Sequence, residues 1–144
     1  MDNIEILDMT LEDLKEIEPI FSTHFDDFWT TENLKSELMN INSKYIVAKL
    51  NHKTIGFAGI WFAVDDAHIT NIVVHKDYRN IGIGTLLLKE IINLGRSKSS
   101  LTLEVNTKNI IAQKLYLNFG FKNLGIRKKY YRGTDDAYIM TLYY

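Results

Sequence analysis

Cysteine is absent from the 144 residues, proline occurs once, and the longest uncharged apolar run is the ten residues from Ile55 to Val64. Without cysteine there is no disulfide scaffold, no thiolate nucleophile and no cysteine-based zinc site. Any nucleophile is therefore a hydroxyl, an amine, a carboxylate or a group that the substrate brings. A ten-residue run is about half of what a membrane-spanning helix needs. The amino terminus, MDNIEILDMT, lacks the basic start and apolar stretch of a signal peptide. No repeat, low-complexity segment or linker interrupts the chain, so one domain over residues 1–144 is expected. A soluble, cytoplasmic protein with no membrane partner is the reading that these absences leave.

Each half of the chain is poor in one sign of charge. Residues 1–68 hold 5 Lys/Arg against 13 Asp/Glu, and residues 69–144 hold 12 against 5. The net charge of −1 therefore hides halves of −8 and +7. Such a split suggests two partners of opposite charge, one for each half. The alternative is that folding interleaves the halves and averages the asymmetry away.

Apolar spacing orders the elements as β-α-α-β-β-β-α-β-α-β-β. Ile4 and Ile6 alternate with polar neighbours in a first strand. Thr10, with Asp13 three residues on, marks a helix start, and Leu11, Leu14, Ile17 and Ile20–Phe21 form its stripe. His24 to Trp29 reads as a loop with aromatic anchors, and Thr30 or Thr31 caps a second helix through Leu34 and Leu38. Tyr45–Leu50, a turn at Asn51-His52-Lys53 and Ile55–Val64 predict a hairpin, followed by a strand from Ala67 to Val74. The next helix, Ile83–Leu94, is expected to end at Gly95 in a left-handed cap. Leu101, Leu103 and Val105 alternate with Thr102 and Glu104 in a strand. A helix from Asn109 to Phe119 stops at Gly120, and strands Phe121–Lys129 and Ala137–Leu142 follow. The class is mixed α/β, a sheet with helices on its faces, neither all-parallel nor a sandwich.

The segment Arg79-Asn80-Ile81-Gly82-Ile83-Gly84-Thr85 lies between a buried strand and a long helix. Glycines let backbone approach a ligand, and the first helical amides, unsatisfied and at the positive end of the dipole, favour phosphate. A tight turn that needs glycine for its dihedrals is the plainer alternative. A dinucleotide-binding loop fits less well, even with Glu104 twenty residues past Gly84. Its third glycine position is Leu87, and seven residues separate Val74 from Gly82. A P-loop lacks its Lys-Ser/Thr. A pyrophosphate cradle of another kind remains.

Asn109, Ala112 and Tyr116 share one helix face, and Ile111, Leu115 and Phe119 share another, read as core. By spacing alone Tyr116 is more readily a half-buried packing tyrosine than a functional one. Glu104 projects opposite Leu101, Leu103 and Val105, into solvent or into a cleft. His24, His52, His68 and His75 show neither metal-ligand spacing nor a fixed carboxylate partner, and no metal site is expected. Asp65-Asp66 reads as a solvated turn. Arg127-Lys128-Lys129 with Arg132 reads as a solvated strand end or a phosphate patch, without the module that direct nucleic-acid binding needs.

Arg79-x-x-Gly82-x-Gly84 at the head of a helix, preceded by Asn71-Ile72-Val73-Val74, resembles the acetyl-coenzyme A motif of the GNAT acetyltransferases. Glu104-Val105-x-x-x-Asn109-x-x-Ala112-x-x-Leu115-Tyr116-x-x-x-Gly120-Phe121 is similar to the RimI branch of that family, which acetylates the N-terminal alanine of a ribosomal protein. Tyr130-Tyr131 and Asp135-Asp136-Ala137-x-Ile139-Met140 extend the likeness. Upstream, Trp29 matches a Pro-Trp element in which Phe28 stands for proline, and Asn106 replaces the arginine usual after Glu-Val.

The resemblance implies a GNAT fold, a twisted, mixed, mostly antiparallel sheet of about seven strands with about four helices on its faces. It implies acetyl transfer from acetyl-coenzyme A to an amine, foremost the N-terminal α-amine of a protein, of the ribosomal-protein alanine type. A small-molecule amine or lysine acceptor, and a non-catalytic acyl-coenzyme A-binding module, stay open. The implied coenzyme contacts are Ile72, Val73 and Val74, the loop Arg79, Asn80, Ile81, Gly82, Ile83, Gly84 and Thr85, and Asn109 and Tyr116. Glu104 is the implied general base, acting through water, and Tyr116 the implied general acid for the departing thiolate. In that scheme the amine attacks the thioester directly, which accords with the missing cysteine. An α-amine of pKa about 7.7–8.0 is also easier to deprotonate than a lysine near 10.4.

Overall fold

Seven apolar or alternating segments pair edge to edge into one sheet, in the order β1-β2-β3-β4-β5-β7-β6. The strands are β1 (Ile4–Asp8), β2 (Ser43–Leu50), β3 (Lys53–Phe62), β4 (Asp66–Val74), β5 (Ser100–Asn106), β6 (Lys122–Tyr131) and β7 (Asp135–Tyr143). Four helices accompany them: α1 (Leu11–Phe21), α2 (Thr31–Leu38), α3 (Ile83–Leu94) and α4 (Ile110–Asn118). The computed structural model describes residues 3–21, 31–131, 133 and 135–144. The expectations at His24, Phe28, Trp29, Thr30 and Arg132 lie outside the described residues.

Strand alternation sends successive side chains to opposite faces, and two cores result. Ile46 and Ala48 of β2 pack with Leu87, Leu88 and Ile91 of α3, and Leu101 and Leu103 of β5 and Tyr116 of α4 join them. Tyr45 and Val47 turn the other way, onto Leu14 and Ile17 of α1 and Leu34 of α2. Helices α3 and α4 therefore share one face, and α1 and α2 lie on the other.

Neighbouring strands are antiparallel except β4 and β5, which the chain links through α3. That parallel pairing is short, covering only Asp66–His68 against Ser100–Thr102. Beyond His68 the two strands part. The cause is in β4, where Gly59 faces Asn71 but Ile60 faces Ile69, leaving Thr70 as an extra residue. Such a bulge bends its strand and increases the local twist. Only glycine fits opposite it: a Cβ at Gly59 would stand 2.5 Å from Thr70 Oγ1 and closer still to the Tyr45 ring.

Strands β1–β3, from the acidic half, lie to one side of β4, and β5–β7, from the basic half, lie to the other. In the sheet the halves stand side by side rather than interleaved. Within each half, minority charges find partners: Lys49 Nζ is 2.7 Å from Asp13, and Lys108 Nζ is 2.9 Å from Asp135.

Two expectations are corrected. Gly95 is right-handed, at φ −79° and ψ −6°, and leads into a 3-10 turn over Gly95–Ser97. Its small size serves packing, because a Cβ there would lie 2.5 Å from the Tyr144 hydroxyl, which donates to the Ile92 carbonyl at 2.7 Å. The left-handed stop occurs instead at Gly120, φ +95°. The α4 face read as core is also different: Ile111 is 73% exposed, Leu115 and Phe119 are partly buried, and Tyr116 is the buried residue. This helix borders a cleft, so its apolar stripe is only half covered.

The helix start at Thr10 holds as expected, with the Thr10 N–H donating to Asp13 Oδ2 at 2.8 Å. Burial pushes the Asp13 pKa up, but its bonds to Lys49 and Thr10 outweigh this and hold it below the usual 3.8. A depressed carboxyl pKa contributes stability above its unfolded value, lost as pH falls through the folded one. Asp13→Asn is expected to reduce unfolding free energy near neutral pH by about 1–3 kcal/mol in urea titrations. The wild type should then lose more stability than the variant between about pH 5 and pH 2. Parallel pH profiles would contradict this.

Candidate active site

Where β4 and β5 part, a cleft of about 720 Å³ opens between them. Ile72, Val73 and Val74 on β4, Glu104 on β5, and Asn109 and Tyr116 on α4 all line it. So do Arg79, Asn80, Gly82, Ile83, Gly84 and Thr85 at the head of α3. Ile81 alone of the expected residues is not in the lining, and its side chain is 46% exposed. The structure also brings in His68, Asn71 and Tyr130, to which the sequence assigned no role.

The loop at α3 is built to present amides. Gly82 takes φ 94°, a left-handed cap that needs glycine, and no side chain caps the helix. The first helical bond runs from the Leu86 N–H to the Gly82 carbonyl at 3.1 Å, so the Ile83, Gly84 and Thr85 amides have no helical acceptor. Arg79 Nε donates to the Val74 carbonyl at 3.1 Å, tying the loop to the end of β4. Gly84 is a separate case. A Cβ there would meet only Leu115 at 3.7 Å and Val74 at 4.0 Å, ordinary contact distances. Internal packing does not demand glycine at that position, whereas close approach of a bound group would.

On the same face, Tyr116 is 8% exposed, and its hydroxyl has no hydrogen-bond partner among the described residues. Its ring meets Phe121 edge-on at 5.7 Å, and burial pushes its pKa up to about 12. A buried hydroxyl left unpaired is costly. Asn109 caps α4, its Oδ1 accepting from the Ala112 N–H at 3.2 Å.

Glu104 stands on the opposite face, with its side chain 7% exposed. Its Oε2 lies 2.7 Å from His68 Nε2, and its Oε1 lies 3.6 Å from an Arg127 guanidinium nitrogen. Burial pushes its pKa up, but the His68 hydrogen bond and charge, with Arg127, prevail and hold it below the usual 4.5. The carboxylate is ionised and can only accept, so His68 Nε2 carries the proton between them. His68 therefore has the fixed carboxylate partner that the sequence did not reveal, because the two residues are 36 apart on different strands. His75 also differs from expectation, its Nδ1 accepting from the Asp77 N–H at 3.0 Å and lying 3.8 Å from the Asp77 carboxylate.

Within the basic run, Arg127 pairs with Glu104 and lies over the Tyr130 ring at 5.3 Å, and Lys128 is 3.9 Å from Asp136. Asn106 shapes the turn after β5, with Nδ2 on Asp135 at 3.1 Å and Oδ1 on the Lys108 N–H at 2.9 Å. Among the described residues, no three His, Asp or Glu side chains group as metal ligands.

Residues 10–121 match the model of the Acetyltransferase (GNAT) family. A Bacillus subtilis (strain 168) protein, named provisionally as a ribosomal protein bS18-alanine N-acetyltransferase, is 37% identical over 139 residues, 94% of this chain and 92% of that one. The crystal structure of the ribosomal-protein-S18-alanine N-acetyltransferase from Escherichia coli superposes with TM-score 0.88 at 29% identity, covering 98% and 94% of the two chains. Arabidopsis thaliana NAA60 in complex with acetyl-CoA shares the fold, with TM-score 0.86, 18% identity and 98% of each chain covered. Three amides without a helical acceptor, an open glycine and a phenol with no partner among the described residues thus line this chain's cleft.

Gly84→Ala separates these roles. The variant is expected to unfold at the same urea concentration as the wild type or a higher one, gaining up to about 1 kcal/mol from helix propensity. Its KM for acetyl-coenzyme A should rise severalfold. An unchanged KM would show that nothing approaches that glycine.

Proposed function

Because the chain belongs to the Acetyltransferase (GNAT) family, we propose that it moves the acetyl group of acetyl-coenzyme A onto the N-terminal α-amine of a protein, a ribosomal protein beginning with alanine being the acceptor that its relatives suggest. The observation that carries this reading is the placement of Glu104 and Tyr116. Both line one cleft, from opposite faces of the sheet, at the gap between β4 and β5. The α3 amides and Tyr116 make one face the side of the phosphates and the sulfur. The α1/α2 face is left to the amine, and there a smaller hollow of about 270 Å³ shares His68 and Glu104 with the cleft.

The chemistry follows from that division. The acceptor nitrogen attacks the thioester carbonyl carbon through the gap, a C–N bond forms, and the C–S bond breaks to release the thiolate. As the nitrogen bonds, its proton becomes strongly acidic and passes towards Glu104, directly or through water. The carboxylate is ready for it because His68 and Arg127 keep it ionised. An α-amine of pKa about 7.7–8.0 has a useful neutral fraction near neutral pH, so a weak base suffices. The thiolate departs into the apolar side of the cleft, where desolvation raises its proton affinity as it raises that of Tyr116. The phenol holds its proton until the thiolate forms, then passes it to the sulfur, and the phenolate left behind is reprotonated from solvent once the thiol departs. No helix among the described residues is long and apolar enough to cross a membrane, and in this reading the enzyme works in the cytoplasm, where ribosomal proteins are made.

Coenzyme release with alanyl peptides, lysine peptides and polyamines tests the acceptor, with alanyl peptides expected to react fastest. Tyr116→Phe should lower kcat about 10²–10⁴-fold with little change in acetyl-coenzyme A affinity. Glu104→Gln should lose most activity near pH 7 and recover part of it as pH rises and the amine loses its proton unaided. Full turnover in the first variant, or a wild-type pH profile in the second, would remove that residue from its role.

A further inference from the structure

One row across the sheet carries a feature that acetyl transfer as described leaves unused. Tyr45 of β2 faces Gly59 of β3, and Gly59 faces Asn71 of β4. The middle position has no side chain, and the Tyr45 ring lies in the trench this leaves, with Cζ 2.5 Å from where a Gly59 Cβ would be. The ring crosses β3, and its hydroxyl reaches the bulge in β4. It stands 2.9 Å from Thr70 Oγ1 and 3.1 Å from Asn71 Oδ1. A carbonyl oxygen can only accept, so the Tyr45 O–H donates to Asn71, and the Thr70 hydroxyl donates to Tyr45. Tyr45 is buried, and this chain of three fixes the Asn71 amide with its oxygen on Tyr45. The Asn71 Nδ2 group then has no partner among the described residues, in a side chain that lines the cleft.

The face decides what that amide meets. Tyr45 belongs to the α1/α2 core, whereas Ile72 and Val74 pack on the α3/α4 core. His68 and Glu104 alternate with Ala67, Ile69, Leu103 and Val105 of that latter core, so they project to the α1/α2 side with Asn71. The unpaired donor is on the amine's side of the gap and not on the coenzyme's.

We propose that Asn71 binds the acceptor's first peptide carbonyl through Nδ2–H, with Tyr45 as the buried positioning residue that aims it. The proposal rests on the α-amine reading above and gives that reading a physical basis for selection. An N-terminal α-amine carries a carbonyl two bonds from its nitrogen. A lysine side chain or a polyamine has none at that distance, so binding it leaves the Asn71 donor unpaired. A site built to hydrogen-bond one group discriminates against analogues that lack it.

The test compares an alanyl peptide with its trans-alkene isostere, in which a carbon–carbon double bond replaces the first amide and the shape is kept. Binding of each to the coenzyme A-bound protein is measured by calorimetry. Wild type is expected to hold the peptide about tenfold more tightly than the isostere. Asn71→Ala should bind both alike, at the level of the isostere, with the KM for acetyl-coenzyme A unchanged. Asn71→Asp keeps the shape and the Tyr45 bond but removes the donor, and it should lose the discrimination too. Tyr45→Phe should reduce it partially, again without moving the KM for acetyl-coenzyme A. The proposal is overturned if wild type does not discriminate, if both Asn71 variants still do, or if the loss falls equally on peptide and isostere. A wild type that acetylates polyamines yet binds neither peptide overturns the α-amine reading itself.

Discussion

Strands β4 and β5 share three residues of parallel pairing and then separate, and the site exists because they do. Continued pairing would fill the space between them with backbone hydrogen bonds, leaving no passage through the sheet. The extra residue Thr70 turns β4 away, and the β5-facing edge of β4 beyond His68 is left without a strand partner. Gly59 and Tyr45 hold that bulge from the α1/α2 side. The bend is thus set by packing within β2, β3 and β4, and the cleft lies at the seam between the acidic and basic halves of the chain. Separation also opens the gap to both faces, with amides and a phenol on one and a carboxylate on the other.

The two ionisable groups are tuned in opposite senses by their surroundings. Burial alone acts on Tyr116 and keeps its proton in place. Burial acts on Glu104 too, but His68 and Arg127 outweigh it and keep the carboxylate charged. A phenol that stays protonated and a carboxylate that stays ionised stand on opposite sides of the gap. That arrangement matches a transfer in which the proton arrives with the amine on one side and leaves with the thiol on the other.

What the sequence made legible was local. Helix α3 was read with its observed limits, Ile83–Leu94, because its apolar face is contiguous and Gly82 immediately precedes it. Helical spacing put Tyr116 and Asn109 on one face, the resemblance implied that this face meets a ligand, and the alternation in β5 put Glu104 opposite the core residues. The charge split was legible as a number, and the strand order gave it a place. The Glu104–His68 pair was not legible, since residues 36 apart meet only through strand order. Nor was the bulge, which depends on cross-strand register, or the size requirement at Gly95, set by Tyr144 from the far end of the chain. Ile111 was misplaced for a related reason: an apolar residue on a helix that borders a cleft need not be covered by protein.

The central claim is that donor and acceptor meet through the β4–β5 gap from opposite faces of the sheet. A crystal structure with coenzyme A joined covalently to an alanyl peptide tests it most directly. The account predicts the pyrophosphate on the Ile83–Thr85 amides, the sulfur beside the Tyr116 hydroxyl, and the peptide nitrogen on the α1/α2 face near Glu104. A conjugate lying wholly on one face, or with its sulfur far from Tyr116, would contradict it.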